Sequence, residues 1–298
     1  MEDPRILVVL LRSTYTHLVS ERRHPGVARL VKSEDPLVEK IVAAHVKHDE
    51  SISEVKRVLK ERGLRSTWLG SIGELNLNEY DLVVTVGGDG TVLHASHAIG
   101  STPVLAVNSS PSTSAGFFTA ATAEDFGLVL DQVLAGEFEP VKLCRMEIRV
   151  GDEVVTRRAL NDVLFCHDCP ASTSRYVLAF NGESEDQISS GVWVATAAGS
   201  TAAIRAAGGK AMRPRSRRLQ FVVREPFPSR EAGKQKHPRL VSGFISDGEA
   251  FSIRSKTEAA RLYVDGPHVV FPVDFGDIVT FSRSNEPLTL FGYNKKEE

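Results

Sequence analysis

The residues best suited to chemistry in this chain are Gly87-Gly88-Asp89-Gly90-Thr91, which directly follow an apolar, β-branched run. Glycines allow the backbone to come close to a ligand, so main-chain N–H groups can point at phosphate oxygens. A carboxylate is unfavourable beside phosphate alone, but Asp89 is well placed to accept a proton from an attacking hydroxyl. The motif therefore predicts phosphoryl transfer with Asp89 as the catalytic residue and with these binding residues: Gly87, Gly88, Gly90 and Thr91. The alternative is a tight turn whose Asp caps the next helix.

Two further groups of polar and small residues accompany strand-like runs. Gly199-Ser200-Thr201 opens a short helix, and its hydroxyls and N-terminal N–H groups can hold phosphate or ribose oxygens. Asn161 and Asp162, side by side at a strand start, can offer an amide and a carboxylate to a nucleotide. The alternatives are a capped helix with a tightly packed start and an ordinary Asn-Asp turn.

The elements that must position these residues fall into two halves. Over 1–137 strands and helices alternate, which predicts a three-layer α/β domain with a parallel sheet. Over 138–283 short strands follow one another with turn residues between them, which predicts a β-rich, sandwich-like domain. The fold class is therefore α/β plus β, and we expect 284–298 to pack back on the N-terminal domain. The stretches 12–50 and 228–240, rich in charge, His and Pro, are expected to be surface loops or flexible insertions.

Composition narrows the class of protein further. A chain of 298 residues with 42% hydrophobic and 25% charged residues is typical of a soluble globular protein with two domains. The formal net charge of -2 gives no general attraction to nucleic acid or membranes, and no apolar run approaches the ~20 residues that span a bilayer. Three cysteines are too few for a disulfide framework and favour a reducing compartment, so we expect a cytoplasmic protein. Cys166-x-x-Cys169 lacks a second ligand pair, so no metal site built from protein side chains is predicted.

Three ordered motifs resemble those of the NAD kinase family: Gly-Gly-Asp-Gly-Thr at 87–91, Ala-Leu-Asn-Asp at 159–162 and Gly-Ser-Thr-Ala at 199–202. The segments 159–169, 189–209 and 219–226 resemble the plant-type NADH kinase branch in particular. The resemblance implies transfer of the ATP γ-phosphate to the 2′-hydroxyl of the adenosine ribose of NADH or NAD, with NADH as the favoured acceptor. It also implies a homodimer, and the chemistry requires Mg²⁺ or another divalent cation to neutralise the triphosphate.

The resemblance also implies residue roles. Asp89 would accept the ribose proton or help to place the metal, and Asn161 and Asp162 would orient the dinucleotide. The other residues would form its bed or close the site: Thr196, Gly199, Ser200, Thr201, Ala202 and Asp265.

The chain departs from the family pattern at two positions. Ser190 stands where most bacterial members have Asp, and Ala203 stands where many members have Tyr. Both positions are expected near the nicotinamide half of the dinucleotide. They leave phosphoryl transfer intact and leave the preference between NADH and NAD open.

Two other functions remain open from the sequence. Lipid kinases of the diacylglycerol or sphingosine type also use Gly-Gly-Asp-Gly-Thr, but a lipid acceptor gives no reason for Asn161-Asp162 or for the 189–203 block. A non-catalytic dinucleotide sensor would retain binding without turnover. The sequence contains neither a Gly-x-x-x-x-Gly-Lys loop nor a Gly-x-Gly-x-x-Gly fingerprint, so it supports neither a P-loop kinase nor a Rossmann dehydrogenase.

Overall fold

The protein is described by a computed structural model over residues 3–70, 77–231 and 234–293. The chain forms two units, Met1–Lys142 with Leu288–Glu298, and Leu143–Pro287. The sequence predicts boundaries at 137/138 and 283/284, a few residues before these. The last part of the predicted C-terminal segment, 294–298, lies outside the described residues.

The helices in chain order are α1 (Pro25–Lys32), α2 (Pro36–Glu61), α3 (Asp89–Ser96), α4 (Phe126–Ala135) and α5 (Ala203–Ala206), with a π-helical turn at Thr16–Glu21 and 3₁₀ turns at Leu77–Glu79 and Gly199–Thr201. The strands are β1 (Ile6–Leu10), β2 (Ser66–Leu69), β3 (Leu82–Gly87), β4 (Val104–Asn108), β5 (Ala121–Thr122), β6 (Pro140–Leu143), β7 (Met146–Val150), β8 (Glu153–Ala159), β9 (Asp162–His167), β10 (Ser174–Phe180), β11 (Glu183–Ser189), β12 (Gly191–Ala195), β13 (Leu219–Arg224), β14 (Ser229–Glu231), β15 (Lys234–Lys236), β16 (Ser242–Ile245), β17 (Phe251–Ser255), β18 (Ala260–Val264), β19 (Val269–Val273), β20 (Ile278–Arg283) and β21 (Leu288–Phe291).

The first unit is built on a sheet with the order β2-β1-β3-β4-β21-β6, with β5 beside β4. Strand β1 pairs in parallel with β2 and β3, and β4 pairs in parallel with β3 and β21. All six residues of β3 and all five of β4 are buried, as expected for central strands of a parallel sheet covered on both faces. The carboxyl ends of β1, β3 and β4 therefore lie side by side at one edge of the sheet.

Helix α2 corrects the expectation of surface loops over 12–50. It begins at Pro36, with Asp35 accepting the backbone N–H of Leu37 as N-cap, and it runs for 26 residues. Pro at the first helical position and Asp as N-cap are standard start signals. The prediction failed because polar residues, His48 and Ser51, occupy part of the buried face and interrupt the apolar periodicity. In 228–240 the structure contains β14 and β15, while 232–233 lie outside the described residues.

The second unit contains two six-stranded sheets with the orders β11-β10-β17-β20-β7-β8 and β16-β13-β12-β9-β18-β19. Their inner faces share one core, to which Tyr176, Ile253 and Phe281 come from the first sheet and Phe165 and Phe221 from the second. This is the arrangement of a β-sandwich. The predicted α/β plus β fold class is confirmed.

Alternation along β9 determines which side chains face away from this core. Val163 and Phe165 are completely buried within it. Because successive side chains of a strand point to opposite faces, Asp162, Leu164 and Cys166 lie together on the outer face.

Over the described ranges, no helix is both long and apolar enough to cross a membrane.

Candidate functional site

The turn Gly87–Thr91 connects β3 to α3 in a conformation that requires glycine. A Cβ on Gly87 would lie 2.0 Å from Thr91 Oγ1, and a Cβ on Gly88 would lie 2.8 Å from Ser114 Oγ. Without these side chains Thr91 can fold back, and its N–H donates to the Gly88 carbonyl at 2.9 Å. The backbone N–H groups at the start of α3, which precede the regular hydrogen bonds of the helix, lie at this turn and make it suitable for an anionic ligand.

Asp89 is the first residue of α3, and its carboxylate is oriented by a distant loop. Its Oδ1 accepts the backbone N–H of Phe118 at 2.9 Å. The Phe118 ring contacts Tyr293, with 5.9 Å between the ring centroids. Burial and the nearby negative charge of Asp89 raise the pKa of Tyr293 to about 12. The surroundings of Asp89 thus include Phe118 and Tyr293, which sequence reasoning missed because nothing local in the sequence links them to the glycine motif.

His48 of α2 reaches the same edge of the sheet. Its Nδ1 lies 2.9 Å from Ser109 Oγ, and Ser109 N–H donates to the Gly87 carbonyl at 3.0 Å. His48 also hydrogen-bonds to the backbone of Leu11, just after β1. Burial lowers the pKa of His48, so its ring is neutral at pH 7. Through these hydrogen bonds the neutral ring connects Leu11, after β1, with Ser109, after β4. It thereby fixes Ser109, whose N–H holds the Gly87 carbonyl of the glycine turn.

In the second unit, the Asp265 carboxylate holds the turn before β9. It accepts the backbone N–H groups of Leu160 at 2.8 Å, Asn161 at 2.6 Å and Asp162 at 3.2 Å. Asp265 N–H donates in return to the Asp162 carbonyl at 2.9 Å. A carboxylate with several N–H donors is strongly held. Asp265 therefore acts on the position of Asn161 and Asp162 through their backbone.

The other side of this turn packs against the loop after β12. Thr196 Oγ1 donates to the Leu160 carbonyl at 2.5 Å and accepts the Gly199 N–H at 3.3 Å. A Cβ on Gly199 would lie 2.1 Å from the Asn161 carbonyl oxygen, so only glycine permits this contact. The structure thus brings together five predicted site residues that are distant in sequence: Asn161, Asp162, Thr196, Gly199 and Asp265.

Two side-chain oxygens at this turn are buried without a hydrogen-bond partner among the described residues, Asn161 Oδ1 and Asp162 Oδ2. Desolvation, followed by the negative charge of Asp265, raises the pKa of Asp162 to about 7, while a hydrogen bond from the Ala203 backbone opposes the shift. Buried acceptors without donors are costly, and they are retained where a ligand supplies the donors. We call these two oxygens the polar binding point, as a candidate contact for a ligand.

Three further predicted site residues, Ser200, Thr201 and Ala202, follow Gly199 in the chain. Ser200 is fully buried, and its hydroxyl donates to the Ala197 carbonyl at 2.8 Å and accepts the Met212 N–H at 2.9 Å. This hydroxyl stabilises the fold, in contrast to the expected contact with ligand oxygens. Thr201 is exposed and Ala202 is half-buried, at the end of the 3₁₀ turn that leads into α5.

A cavity of about 390 Å³ lies on the outer face of the β9–β12–β18 region. Leu164 is paired with both Trp193 and Tyr263 across the sheet, and the three side chains line the cavity. It also contains Ser190 and Arg224. Asp162 precedes Leu164 by two residues on the outer face of β9, so the polar binding point lies on the same face of the strand as this cavity.

Comparison with known proteins places the chain in a family. The profile of the ATP-NAD kinase N-terminal domain matches residues 12–138. A probable NADH kinase from Oryza sativa is 36% identical over 266 residues, which cover 81% of this chain and 80% of the relative. An NAD kinase from Archaeoglobus fulgidus, solved in complex with ATP, has a similar fold, with a TM-score of 0.69 at 21% identity over 98% of this chain and 94% of the other. Yeast NADH kinase, solved with NADH, gives a TM-score of 0.64 at 20% identity over 98% and 85%. The chain therefore belongs to the NAD kinase family.

Proposed function

We propose that this protein transfers the γ-phosphoryl group of ATP to the 2′-hydroxyl of the adenosine ribose of NADH or NAD, and that NADH is the preferred acceptor. Family membership supports the reaction class. The rice relative is described as a probable NADH kinase, and the yeast structure is of an NADH kinase complexed with NADH. The archaeal structure, an NAD kinase in complex with ATP, supports ATP as the donor.

The single observation that carries the proposal is the pair of buried acceptors without donors, Asn161 Oδ1 and Asp162 Oδ2. Ribose hydroxyls and the adenine amino group of a dinucleotide are donors of the required kind. Diacylglycerol has a single hydroxyl, the group that would be phosphorylated, so it has no donor to spare for two separate acceptors. The geometry therefore favours a nucleotide acceptor over diacylglycerol, and membership of the NAD kinase family favours it over sphingosine, whose amine and hydroxyls are donors.

In the proposed reaction, the residues of the glycine turn and of the Asn161 turn have separate tasks. Asp89 accepts the proton of the attacking 2′-hydroxyl or helps to place the metal, and the glycine N–H groups near 87–90 donate to phosphate oxygens. Asn161 and Asp162 orient the acceptor dinucleotide, while Asp265 positions both. Ser200 contributes through the packing of its loop.

A divalent cation fits this donor set. Mg²⁺ prefers oxygen ligands and is commonly held by one or two carboxylates together with substrate phosphates. Asp89 has the carboxylate of the turn, which is either the proton acceptor or a ligand of the metal, so most ligands would be triphosphate oxygens and water. When bound, the ion would neutralise charge on the triphosphate.

The preference for NADH rests on the character of the cavity beside Asp162. Leu164, Trp193 and Tyr263 form an aromatic and aliphatic lining that suits an uncharged dihydronicotinamide ring. Ser190 lines the same cavity at the position where most bacterial members have a carboxylate. With Ser190 the cavity has one carboxylate fewer for the cationic ring of NAD than in those members, although Asp168 and Glu225 still line it together with Arg224.

Two further assignments follow from the family resemblance and the composition. A homodimer is the proposed assembly, and light scattering after size-exclusion chromatography tests it. The cytoplasm is the proposed compartment, in keeping with three free cysteines, Cys144, Cys166 and Cys169. Fractionation of cells that express the chain tests this location.

The experiment that tests the function uses the purified full chain with ATP, Mg²⁺ and either NAD or NADH. Chromatography separates and quantifies NADP and NADPH. We expect phosphorylation of both acceptors and a higher kcat/KM with NADH. A protein that binds NADH without forming NADPH would instead be a sensor. A protein that forms neither product and phosphorylates diacylglycerol or sphingosine would be a lipid kinase, and either outcome would overturn the proposal.

A further inference from the structure

A second cavity, of about 460 Å³, lies on the other sheet of the β-sandwich. It is formed by the edge strand β11, its neighbour β10, Phe227 and the segment 236–239. Arg175 of β10 pairs with Ile188 of β11 on the face opposite to the buried Tyr176. The polar binding point at Asn161 belongs to the other sheet, so this cavity is a separate site.

The lining of this cavity is unusually basic for a chain with a net charge of -2. It contains two carboxylates, Glu185 and Asp186, and His237. It also contains four permanent cations: Arg175, Lys236, Arg239 and Lys256. With His neutral, the lining therefore has a formal excess of two positive charges. A concave surface with an excess of one sign attracts ligands of the opposite sign, and here the excess is reduced where Arg239 pairs with Glu183 at 3.5 Å.

The two carboxylates are engaged within the protein. Glu185 accepts the backbone N–H groups of Arg239 and Leu240, both at 3.0 Å, and the side-chain amide of Gln187 at 2.8 Å. These hydrogen bonds and the positive charge of Arg239 lower the pKa of Glu185, although burial alone would raise it. Asp186 pairs with Lys256 at 2.5 Å. Neither carboxylate is therefore left to neutralise Arg175.

Among the cations of this lining, Arg175 is best able to bind a ligand through its side chain. Its backbone N–H donates to Thr257, but its guanidinium makes no hydrogen bond or ion pair with the other residues that the structure describes. It lines the cavity beside Lys256, whose N–H donates to the Arg175 carbonyl at 2.8 Å. A guanidinium with its donors available is suited to bidentate binding of a phosphate.

The cavity also has an apolar wall. Phe227 is 60% exposed and lines the cavity together with Ile188 and Pro238. Its N–H donates to the Ile188 carbonyl at 2.8 Å, which fixes the residue beside β11. An exposed aromatic ring next to cations is a surface on which a planar ring can stack.

We propose that this cavity binds a phosphate ester of a planar ring system, of the size of a mononucleotide, with the phosphate on Arg175 and the ring against Phe227. The volume lies within the range of sites for small molecules. The site is independent of the proposed kinase reaction, because none of its residues has a role in phosphoryl transfer.

Binding is tested by calorimetry on the full chain with two probes, AMP and inorganic pyrophosphate, in the presence of saturating NADH. Arg175→Ala should weaken both probes by about tenfold or more, since a charge-assisted contact is lost. Phe227→Ala should weaken AMP and leave pyrophosphate unchanged. Arg254→Ala is the matched control, because Arg254 is exposed on the neighbouring strand β17 and does not line the cavity.

Two outcomes would overturn the assignment. If Arg175→Ala and Arg254→Ala titrate alike with both probes, any bound AMP occupies another site. If Phe227→Ala leaves AMP binding unchanged, the cavity binds anions without a ring and the proposed ligand class is wrong. Kinase activity measured on the same variants separates these results from the proposed function, since activity should equal that of the wild type in all three.

Discussion

The carboxylate of Asp265 accepts the backbone N–H of Asn161 at 2.6 Å, although 104 positions separate the two residues in sequence. Asp265 adopts a φ of 51°, in the left-handed region that residues with a Cβ rarely occupy. A strained backbone conformation of this kind persists where the surrounding contacts enforce it. Because the backbone of Asn161 is held in this way, its side chain is left for a ligand. We therefore propose that Asp265 is a positioning residue for the dinucleotide site.

Asp265→Ala should weaken the acceptor site selectively. It removes the acceptor for three N–H groups, so we expect a loss of about 2 to 4 kcal/mol in the free energy of unfolding. The KM for NADH should rise about tenfold or more, and the KM for ATP should change less than about twofold, because Asn161 loses its position. Asp265→Asn retains one oxygen acceptor, so its stability and its KM for NADH should lie between those of the wild type and Asp265→Ala. Steady-state kinetics and chemical denaturation measure both effects.

The control for this change is Asp152→Ala, which removes an exposed carboxylate from the turn between β7 and β8. It should leave both KM values unchanged. If Asp265→Ala raises the KM for ATP as much as that for NADH, its role is general stability rather than positioning of the acceptor.

The glycine turn illustrates what the sequence could predict. An apolar run that ends in Gly-Gly-Asp-Gly-Thr predicts a strand, a tight turn and a helix because each step depends on neighbouring residues. The structure has β3, the turn and α3 in that order. The contact of Asp89 with Phe118 and the bridge from His48 could not be predicted in the same way, since they depend on how distant strands and helices pack.

Asp162 should give the protein a measurable pH dependence. Its pKa is about 7 in the folded state and ~3.9 when unfolded, so the folded state holds more protons between these values. The free energy of unfolding therefore falls as pH rises from about 4 to 7, by up to ~1.4 kcal/mol per pH unit from this group. Asp162→Asn should flatten this slope. Urea denaturation of both proteins at several pH values measures it, and equal slopes would contradict the assignment.

The same carboxyl group should release a proton when the acceptor binds. A ribose hydroxyl that donates to Asp162 stabilises the charged carboxylate and lowers its pKa. We expect proton release on NADH binding near pH 6.5, detected by calorimetry in buffers of different ionisation enthalpy. The release should be absent in Asp162→Asn, and proton uptake in the wild type would contradict the proposed contact.

Asp89→Asn should separate turnover from binding. The amide keeps the oxygen that accepts the Phe118 N–H, so the turn remains formed, but it cannot accept a proton. A general base contributes about 10²- to 10⁴-fold, and kcat should fall by this factor while the Kd for NADH changes less than about threefold. Asp81→Asn, at the other end of β3, is the matched control and should retain its kcat. Turnover of Asp89→Asn within a few-fold of the wild type would remove Asp89 from the catalytic role.

His48 should support the binding of ATP, because it contacts Ser109, which in turn holds the Gly87 carbonyl. His48→Leu removes the partner of Ser109 Oγ, and we expect a loss of about 1 to 3 kcal/mol in stability together with a higher KM for ATP. His48→Gln can still hydrogen-bond and should restore most of the KM. The effect on the KM for NADH should be smaller, because the contacts of His48 lie at the glycine turn. Lys56→Ala, exposed on α2, is the control and should change neither constant.

The pH dependence of the free energy of unfolding gives a second test of the role of His48. Because burial lowers its pKa, the unfolded chain binds a proton below about pH 6.5 that the folded protein does not. The free energy of unfolding should therefore fall as pH drops below 6.5, and His48→Gln should remove this part of the fall. If His48→Leu lowers stability while the KM for ATP stays at the wild-type value, His48 only supports the fold and does not position the phosphate-binding turn.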